Sequence, residues 1–338
     1  MSKTAVVILN WNGREKGLIE QYLPYVVKFS EGAEVYLADN GSEDGSVSFT
    51  QKNFPSVKII RMEKNFGFTG GYNRALKQVD ADFFILLNDD VMVSDNWINP
   101  VIKRMEEDTN IAVCQPKLLS YRDKTMFEYA GAAGGYIDYL GYPFCAGRVF
   151  DNIEKDHGQY DKEREIFWAS GAAMFVRADV YRELGGLDED FFAHMEEIDF
   201  CWRAKNKGYK VLYCPQSKVY HYGAATLNAN NPKKTFLNFR NNLILLYKNL
   251  PENKIKKIFI KRAFLDNLAA LVFLFKGEKE NFRAVISARK EFKKMKDKFK
   301  EKRDKNINSY PSMVSKKSIV LLSKVFHKNL FSDIEKYI

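Results

Sequence analysis

Two adjacent carboxylates, Asp89 and Asp90, follow directly on the apolar run Phe83–Leu87. A buried strand that ends in acidic residues sets anionic oxygens at the rim of a sheet. Mg²⁺ and Mn²⁺ favour oxygen ligands, commonly one or two carboxylates together with phosphate oxygens. An ion so held can neutralise a departing diphosphate. The competing reading of Asn88-Asp89-Asp90 is a polar turn that caps the next element. Asp39, at the end of an earlier apolar run, could accept a hydrogen bond from a base-ring N–H. Asp39-Asn40-Gly41-Ser42 equally fits an Asx turn, with Asp44 and Ser46 as helix caps.

A second set of residues supplies other chemistry. Asn65 to Arg74 opens a helix with Gly67, Gly70 and Gly71 at its amino end. Free N–H groups there favour phosphate. The spacing matches neither the dinucleotide fingerprint nor the P-loop. Glu196, Glu197 and Asp199 begin another helix, in which Glu196, Asp199 and Arg203 share a face as an ion-paired cluster. Glu197 lies about 100° from Glu196 around that helix, where a carboxylate could serve as a general base. A solvated helix face is the plain alternative. His221 follows a strand pattern and is either a packing residue or a third metal ligand.

The elements that must position these residues alternate. Strands are expected at Ala5–Leu9, Glu34–Ala38, Val57–Arg61, Phe83–Leu87 and Ile111–Gln115. Helices are expected before Phe29, over Thr69–Val79 and over Asn96–Glu107. This rhythm predicts an α/β fold with a mostly parallel sheet and helices on both faces. Its ligand site should lie at the carboxyl ends of the strands, beside Asn10, Asp39 and residues 88–90. Residues 120–165 read as irregular cover with short hairpins. Strand and helix patterns return over Phe167–Thr226, and the chain is helical and Lys-rich after Pro232.

The 338 residues carry 46% hydrophobic and 14% aromatic residues, enough for a sizeable core and against global disorder. Cys114, Cys145, Cys201 and Cys214 form no C-x-x-C pair, which argues against zinc and thioredoxin-like chemistry. Scattered cysteines point to a reducing compartment. No signal peptide is expected, because Ala5–Leu9 is too short for one. No run of about 18 apolar residues predicts a spanning helix. The net charge of +10 divides unevenly: residues 1–230 carry about −7 and residues 231–338 about +17. Such a tail suits an anionic surface.

Taken in order, Val7–Gly13, Asp39–Ser42, Asn65–Phe68 with Gly70–Asn73, Leu87–Val91, Ser170–Met174, Gly185–Phe192, Glu196–Asp199 and His221 resemble the inverting family-2 glycosyltransferases, especially their bacterial rhamnosyltransferase-like branch. The likeness covers residues 4–226 and touches Arg240-Asn241-Asn242 and Lys248-Asn249. It implies a GT-A fold over residues 1–230, with a nucleotide-binding half to about 118 and an acceptor-side half over 119–230. It implies a nucleotide-sugar donor, dTDP- or UDP-linked, bound by Asn10, Asp39, Asn65, Gly70, Asn73 and Asp89. Asp90 and His221 would hold Mg²⁺ or Mn²⁺. Glu197 would be the base, standing as Glu where the family carries Asp, with Glu196 and Asp199 as the other carboxylates available. The acceptor would be a glycan or a lipid-linked sugar, in cell-surface polysaccharide biosynthesis. Two other functions fit parts of the pattern. A sugar-nucleotide nucleotidyltransferase should carry a Gly-rich basic loop after its first strand, where only Arg14 stands. A catalytically idle donor-binding subunit is the other.

The tail, residues 231–338, completes the reading. Ile255–Phe275 crowds basic groups at one end and apolar and aromatic ones at the other, interrupted by Lys261, Arg262, Asp266 and Asn267. It suits an interfacial helix, followed by a basic helix over Phe282–Lys305. The alternative packs Phe259, Leu265, Leu268, Val272 and Phe275 on the catalytic domain. The expected setting is the cytoplasm, at the inner face of the cell membrane. No base-reading module suggests nucleic acid as a partner.

Overall fold

The computed structural model describes residues 2–223, 231–303, 307 and 309–338. The end of the segment after His221, the expected boundary at 230 and Lys305 lie outside these. The first half is a β-α-β succession: β1 (Thr4–Asn10), α1 (Leu18–Phe29), β2 (Glu34–Asp39), α2 (Ser46–Asn53), β3 (Lys58–Arg61), α3 (Gly67–Leu76) and β4 (Phe83–Asn88). These four strands pair in parallel. Val6 and Ile8 enter the core on one face of the sheet, Ala5 and Val7 that on the other. That period-two split of one apolar run is what a strand covered on both faces requires.

The sheet continues with β5 (Val91–Val93), β6 (Ile111–Ser120), β11 (Arg164–Glu165), β12 (Ala173–Arg177) and β13 (Lys210–His221), with α4 (Asn99–Glu107), α5 (Ala178–Glu183) and α6 (Glu196–Asn206) between them. Its order is β11-β13-β6-β12-β4-β1-β2-β3, with β5 on β13. β12 runs antiparallel between β4 and β6, so the sheet is mixed in its second half. The architecture is α/β of the GT-A kind, as expected. Boundaries moved locally. α4 starts at Asn99 because Pro100 sits in its first turn, where a missing N–H does no harm. β6 runs on to Ser120 because β13 pairs with it that far.

The segment expected as irregular cover is more ordered than its sequence suggests. β7 (Gly135–Asp138), β8 (Pro143–Cys145), β9 (Arg148–Val149) and β10 (Asn152–Ile153) make a second small sheet, completed by β14 (Val314–Ser315) from the far end of the chain. The tail holds α7 (Pro232–Asn249), α8 (Glu252–Phe275), α9 (Lys279–Met295) and α10 (Ile319–Lys324). Leu243–Leu246 of α7, Ile258 of α8 and Phe292 of α9 belong to the same apolar core as Val7, Phe84 and Phe200. The tail thus packs continuously with the catalytic body. Among the described residues no helix is long and apolar enough to cross a membrane.

Candidate functional site

Strand register brings the first residues together: Asn10 pairs opposite Asp39, and Leu9 opposite Asn88. Asn10 is fully buried. Its amide donates to Asp39 Oδ1 and Ser42 Oγ, each at 3.0 Å, and its oxygen accepts from Gly13 N at 3.1 Å. Asp39 Oδ2 accepts the Ser42 N–H at 3.2 Å. A Cβ at Gly13 would stand 2.4 Å from Asn10 Oδ1 and 2.8 Å from Asp89 Oδ2, so only glycine lets this loop close over both. Asn10, Asp39 and Asp89 therefore line one end of the parallel strands. Burial and the charge of Asp90 push the Asp89 carboxyl up to about 7.

β5 turns back on β13 directly after Asp90, with Val91 opposite His221. His221 Nε2 thereby comes 3.0 Å from Asp90 Oδ1, and Gly223 N donates to Asp90 Oδ2 at 3.2 Å. Burial works against both charges, but the pair outweighs it: His221 holds Asp90 below the usual carboxylate range, and Asp90 holds the imidazole well above its own. On the other ring nitrogen, Glu128 Oε1 lies 3.3 Å from Nδ1 without the alignment of a hydrogen bond. The sequence did not single out Glu128. It arrives because Phe127 bridges to Leu119 on β6, a contact between short segments with no period to read. Among the described residues no group of three or more His, Cys, Asp or Glu side chains is arranged to hold a metal alone. A divalent ion at Asp90 and His221 would draw its other ligands from a diphosphate and water, which matches Mg²⁺ or Mn²⁺. It would take the place of the proton the two residues now share.

At the start of α3, where a phosphate cradle is expected, several N–H groups have partners within the protein. Phe68 N and Thr69 N both donate to the Phe192 carbonyl, at 3.0 and 3.4 Å. Gly67 N donates to Asn65 Oδ1 at 2.8 Å and Phe66 N to Asn40 Oδ1 at 3.0 Å. Gly70 packs toward Phe66 and Arg74. The Asn73 amide donates to Leu187 O at 2.8 Å, and its oxygen accepts from Tyr181 OH at 2.7 Å and Leu187 N at 3.0 Å. Asn65 Oδ1 and both ends of the Asn73 amide tie loops together at the rim, and the Gly70 carbonyl accepts from Arg74 at 3.0 Å. The glycine pattern allowed close approach but did not say of what.

The three carboxylates of α6 separate in role. Asp199 is fully buried and engaged by Arg203 and Lys248, each at 2.8 Å, and by Asn249 at 2.8 Å; these cations overcome burial and keep its carboxyl low. Glu196 is buried with one oxygen unpartnered, and burial with its neighbour's charge drives its carboxyl well above the ordinary range. Glu197 is half-buried and also has an unpartnered oxygen. Burial raises it to about 7. Its Cβ lies near Gly171, next to Phe68, and Gly171 adjoins Ala172, whose carbonyl accepts the Asn88 N–H at 3.0 Å.

The loop before Glu196 is bent hard: Phe192, His194 and Met195 all have positive φ, at 65°, 71° and 73°. Such conformations persist only where surroundings enforce them. α7 does so. Asn241 Nδ2 donates to the carbonyls of Phe191, Ala193 and His194 at 2.8–2.9 Å, and Arg240 reaches those of Asp190 and Phe191 at 3.2 Å. Lys248 bridges Asp188 and Asp199. The tail residues noted in the sequence hold the acidic helix in place.

A family model for "Glycosyl transferase family 2" matches residues 6–185, just over half of the chain. The chain belongs to this family. It is similar to the N-acetylglucosaminyl-diphospho-decaprenol L-rhamnosyltransferase of Mycobacterium tuberculosis, 27% identical over 208 residues, covering 56% of this chain and 66% of that relative. It is also similar to the dTDP-rhamnosyl transferase RfbF of Shigella flexneri, 22% identical over 224 residues, covering 61% and 70%. These place the family 2 glycosyltransferase in the rhamnosyltransferase-like branch. The crystal structure of GalNAc-T7 with UDP, GalNAc and Mn²⁺ shares the fold at a TM-score of 0.57 and 17% identity, covering 73% of this chain and 48% of that one.

Proposed function

We propose that this glycosyltransferase moves a sugar, of rhamnose type, from a dTDP- or UDP-linked donor to a hydroxyl of a glycan or lipid-linked acceptor, with inversion. The observation that carries the reading is the convergence at one sheet rim of Asn10, Asp39 and Asp89, the Asp90–His221 pair and, across the 170–172 loop, a half-buried Glu197 raised to about 7. Asp39 and Asn10 bind the nucleoside end, and Asp89 stands beside them. Asp90 and His221 would hold Mg²⁺ or Mn²⁺, which would supply positive charge to neutralise the departing diphosphate. Glu197 takes the acceptor hydroxyl proton, and that oxygen attacks the anomeric carbon from the face opposite the nucleotide. A base whose carboxyl sits near neutral combines ionisation with proton affinity. Asp199, held by two cations, and the deeply buried Glu196 serve the frame. The relatives' names support a rhamnosyl donor and a diphospho-lipid acceptor; a reaction in the cytoplasm at the inner membrane face is part of the same proposal. The test incubates the protein with dTDP-rhamnose and UDP-sugars, with Mn²⁺ and a diphospho-lipid-linked N-acetylglucosamine, and measures free nucleoside diphosphate and the product's anomeric configuration. A retained configuration, or no release from any donor, refutes it.

A further inference from the structure

α8 is inside out. A surface helix of a soluble protein turns its apolar side inward. Here the buried stripe Ile258, Arg262, Asp266 and Ala270 carries a charge pair, while Ile260, Phe264, Leu271 and Phe275 face outward at 64, 71, 45 and 86% exposure. The orientation is locked from within. Arg262 pairs with Asp266 at 3.1 Å and donates to Leu140 O at 2.8 Å, and Arg289 of α9 binds the other Asp266 oxygen at 2.6 Å. Turning the helix over to bury its phenylalanines would strip both buried charges of their partners. Phe259 and Leu265 pack partly on the core, but Leu268, Val272 and Phe275, offered by the sequence as packing residues, lie on the exposed side.

The same outer side turns basic toward the helix start. Lys254, Lys257 and Lys261 of α8, with Lys316, line one cavity together with Tyr139, Tyr310 and Ser315, and among the described residues no carboxylate lines it. The Lys261 ammonium meets the Tyr139 hydroxyl at 3.4 Å and lies 5.1 Å from its ring centroid. Among the described residues Lys254, Lys257 and Lys316 have no ion-pair partner. By contrast, the basic run after α9 is partly consumed: Lys298 and Lys302 pair with Asp188 and Asp190. Positive charge without an ion-pair partner therefore stands beside the apolar stripe.

We propose that the outer face of α8 docks on an anionic lipid bilayer, its apolar stripe entering the headgroup boundary and its lysine cavity receiving lipid phosphate. Charge chooses the occupant. An apolar stripe alone would also suit a second copy of this chain, but a second copy would bring the same lysines against these, whereas an anionic leaflet complements them. The proposal rests on the lipid-linked acceptor of the preceding reading only for its purpose, and it is tested separately.

The full chain is floated with phosphatidylglycerol-rich vesicles and with pure phosphatidylcholine vesicles. It should co-float with the first and not with the second, and rising salt should weaken binding. Lys254→Gln/Lys257→Gln/Lys261→Gln should lower vesicle affinity roughly 100-fold, at about tenfold or less per lysine, and Phe264→Asp/Leu271→Asp should abolish it. Both variants should keep wild-type nucleotide binding and sedimentation as the same species. Failure of the wild type to bind phosphatidylglycerol at low salt, or full binding by Phe264→Asp/Leu271→Asp, overturns the proposal. So does a wild-type dimer that this variant converts to monomer. Vesicle binding without donor turnover would leave docking intact and remove only the catalytic reading.

Discussion

Glu197→Gln isolates the proton-accepting step. Burial moves the Glu197 carboxyl from its ordinary 4.5 to about 7, so roughly a tenth of it is ionised at pH 6 and roughly nine tenths at pH 8. Turnover that needs the carboxylate should rise about tenfold between those values, with its midpoint near 7. The glutamine variant should lose about 10²- to 10⁴-fold in kcat and should lose this limb of the pH profile, with donor affinity unchanged. A second readout follows from linkage. A carboxyl whose folded pKa is raised contributes stability that is present below its unfolded pKa and is lost as pH climbs through the folded one. The ionised form carries a penalty of about 3 kcal/mol. Glutamine cannot ionise, so the variant should melt above wild type at pH 8, and the gap should close toward pH 5. The assay is release of nucleoside diphosphate, with the midpoint near 7 read from kcat/KM, which reports the free enzyme, and the variant's loss read from kcat, with thermal melts alongside. A near wild-type Glu197→Gln with a dead Glu196→Gln would refute the assignment. So would a variant that keeps the same pH limb.

Asp90→Asn should abolish metal-stimulated donor turnover and lower the melting temperature, because it breaks the buried pair with His221; full activity of this variant in EDTA would contradict the site. Glu128→Gln removes the charge beside His221 Nδ1 and should weaken Mn²⁺ affinity about 10- to 100-fold, read as the Mn²⁺ dependence of thermal stabilisation in the presence of UDP. Asn241→Ala leaves the carbonyls of Phe191, Ala193 and His194 short of a donor, at a cost of about 1–3 kcal/mol; kcat should fall with donor affinity intact, and a calorimetric melt together with donor titration separates the two effects.

Much of the rim was legible because it is local. Asp39, Asp89 and Asp90 each end an apolar run, and a strand that ends in a carboxylate announces both the element and its exit. The lysines and aromatics of α8 were legible as a composition too. Other features were ambiguous for a physical reason. Gly70, Asn65 and Asn73 are small or amide residues that suit a ligand or a neighbouring loop equally well, and the loop contacts of Asn65 Oδ1 with Gly67 N and of Asn73 with Leu187 appear only in the fold. Residues 120–165 hid a sheet because its strands are two to four residues long, too short to show a period, and one partner strand lies at residues 314–315.

The sequence by itself determined the β-α-β order, the residues at the strand ends and the excess positive charge of the tail, since each follows from runs of neighbouring residues. Only the tertiary structure decided that Asp90 meets His221 across 131 positions, that Glu128 backs that histidine, and that Asn241 and Lys248 hold the acidic helix. It also decided which side of α8 faces out. A charge pair buried against Leu140 and Arg289 fixes the rotation of that helix, and those partners come from other parts of the chain.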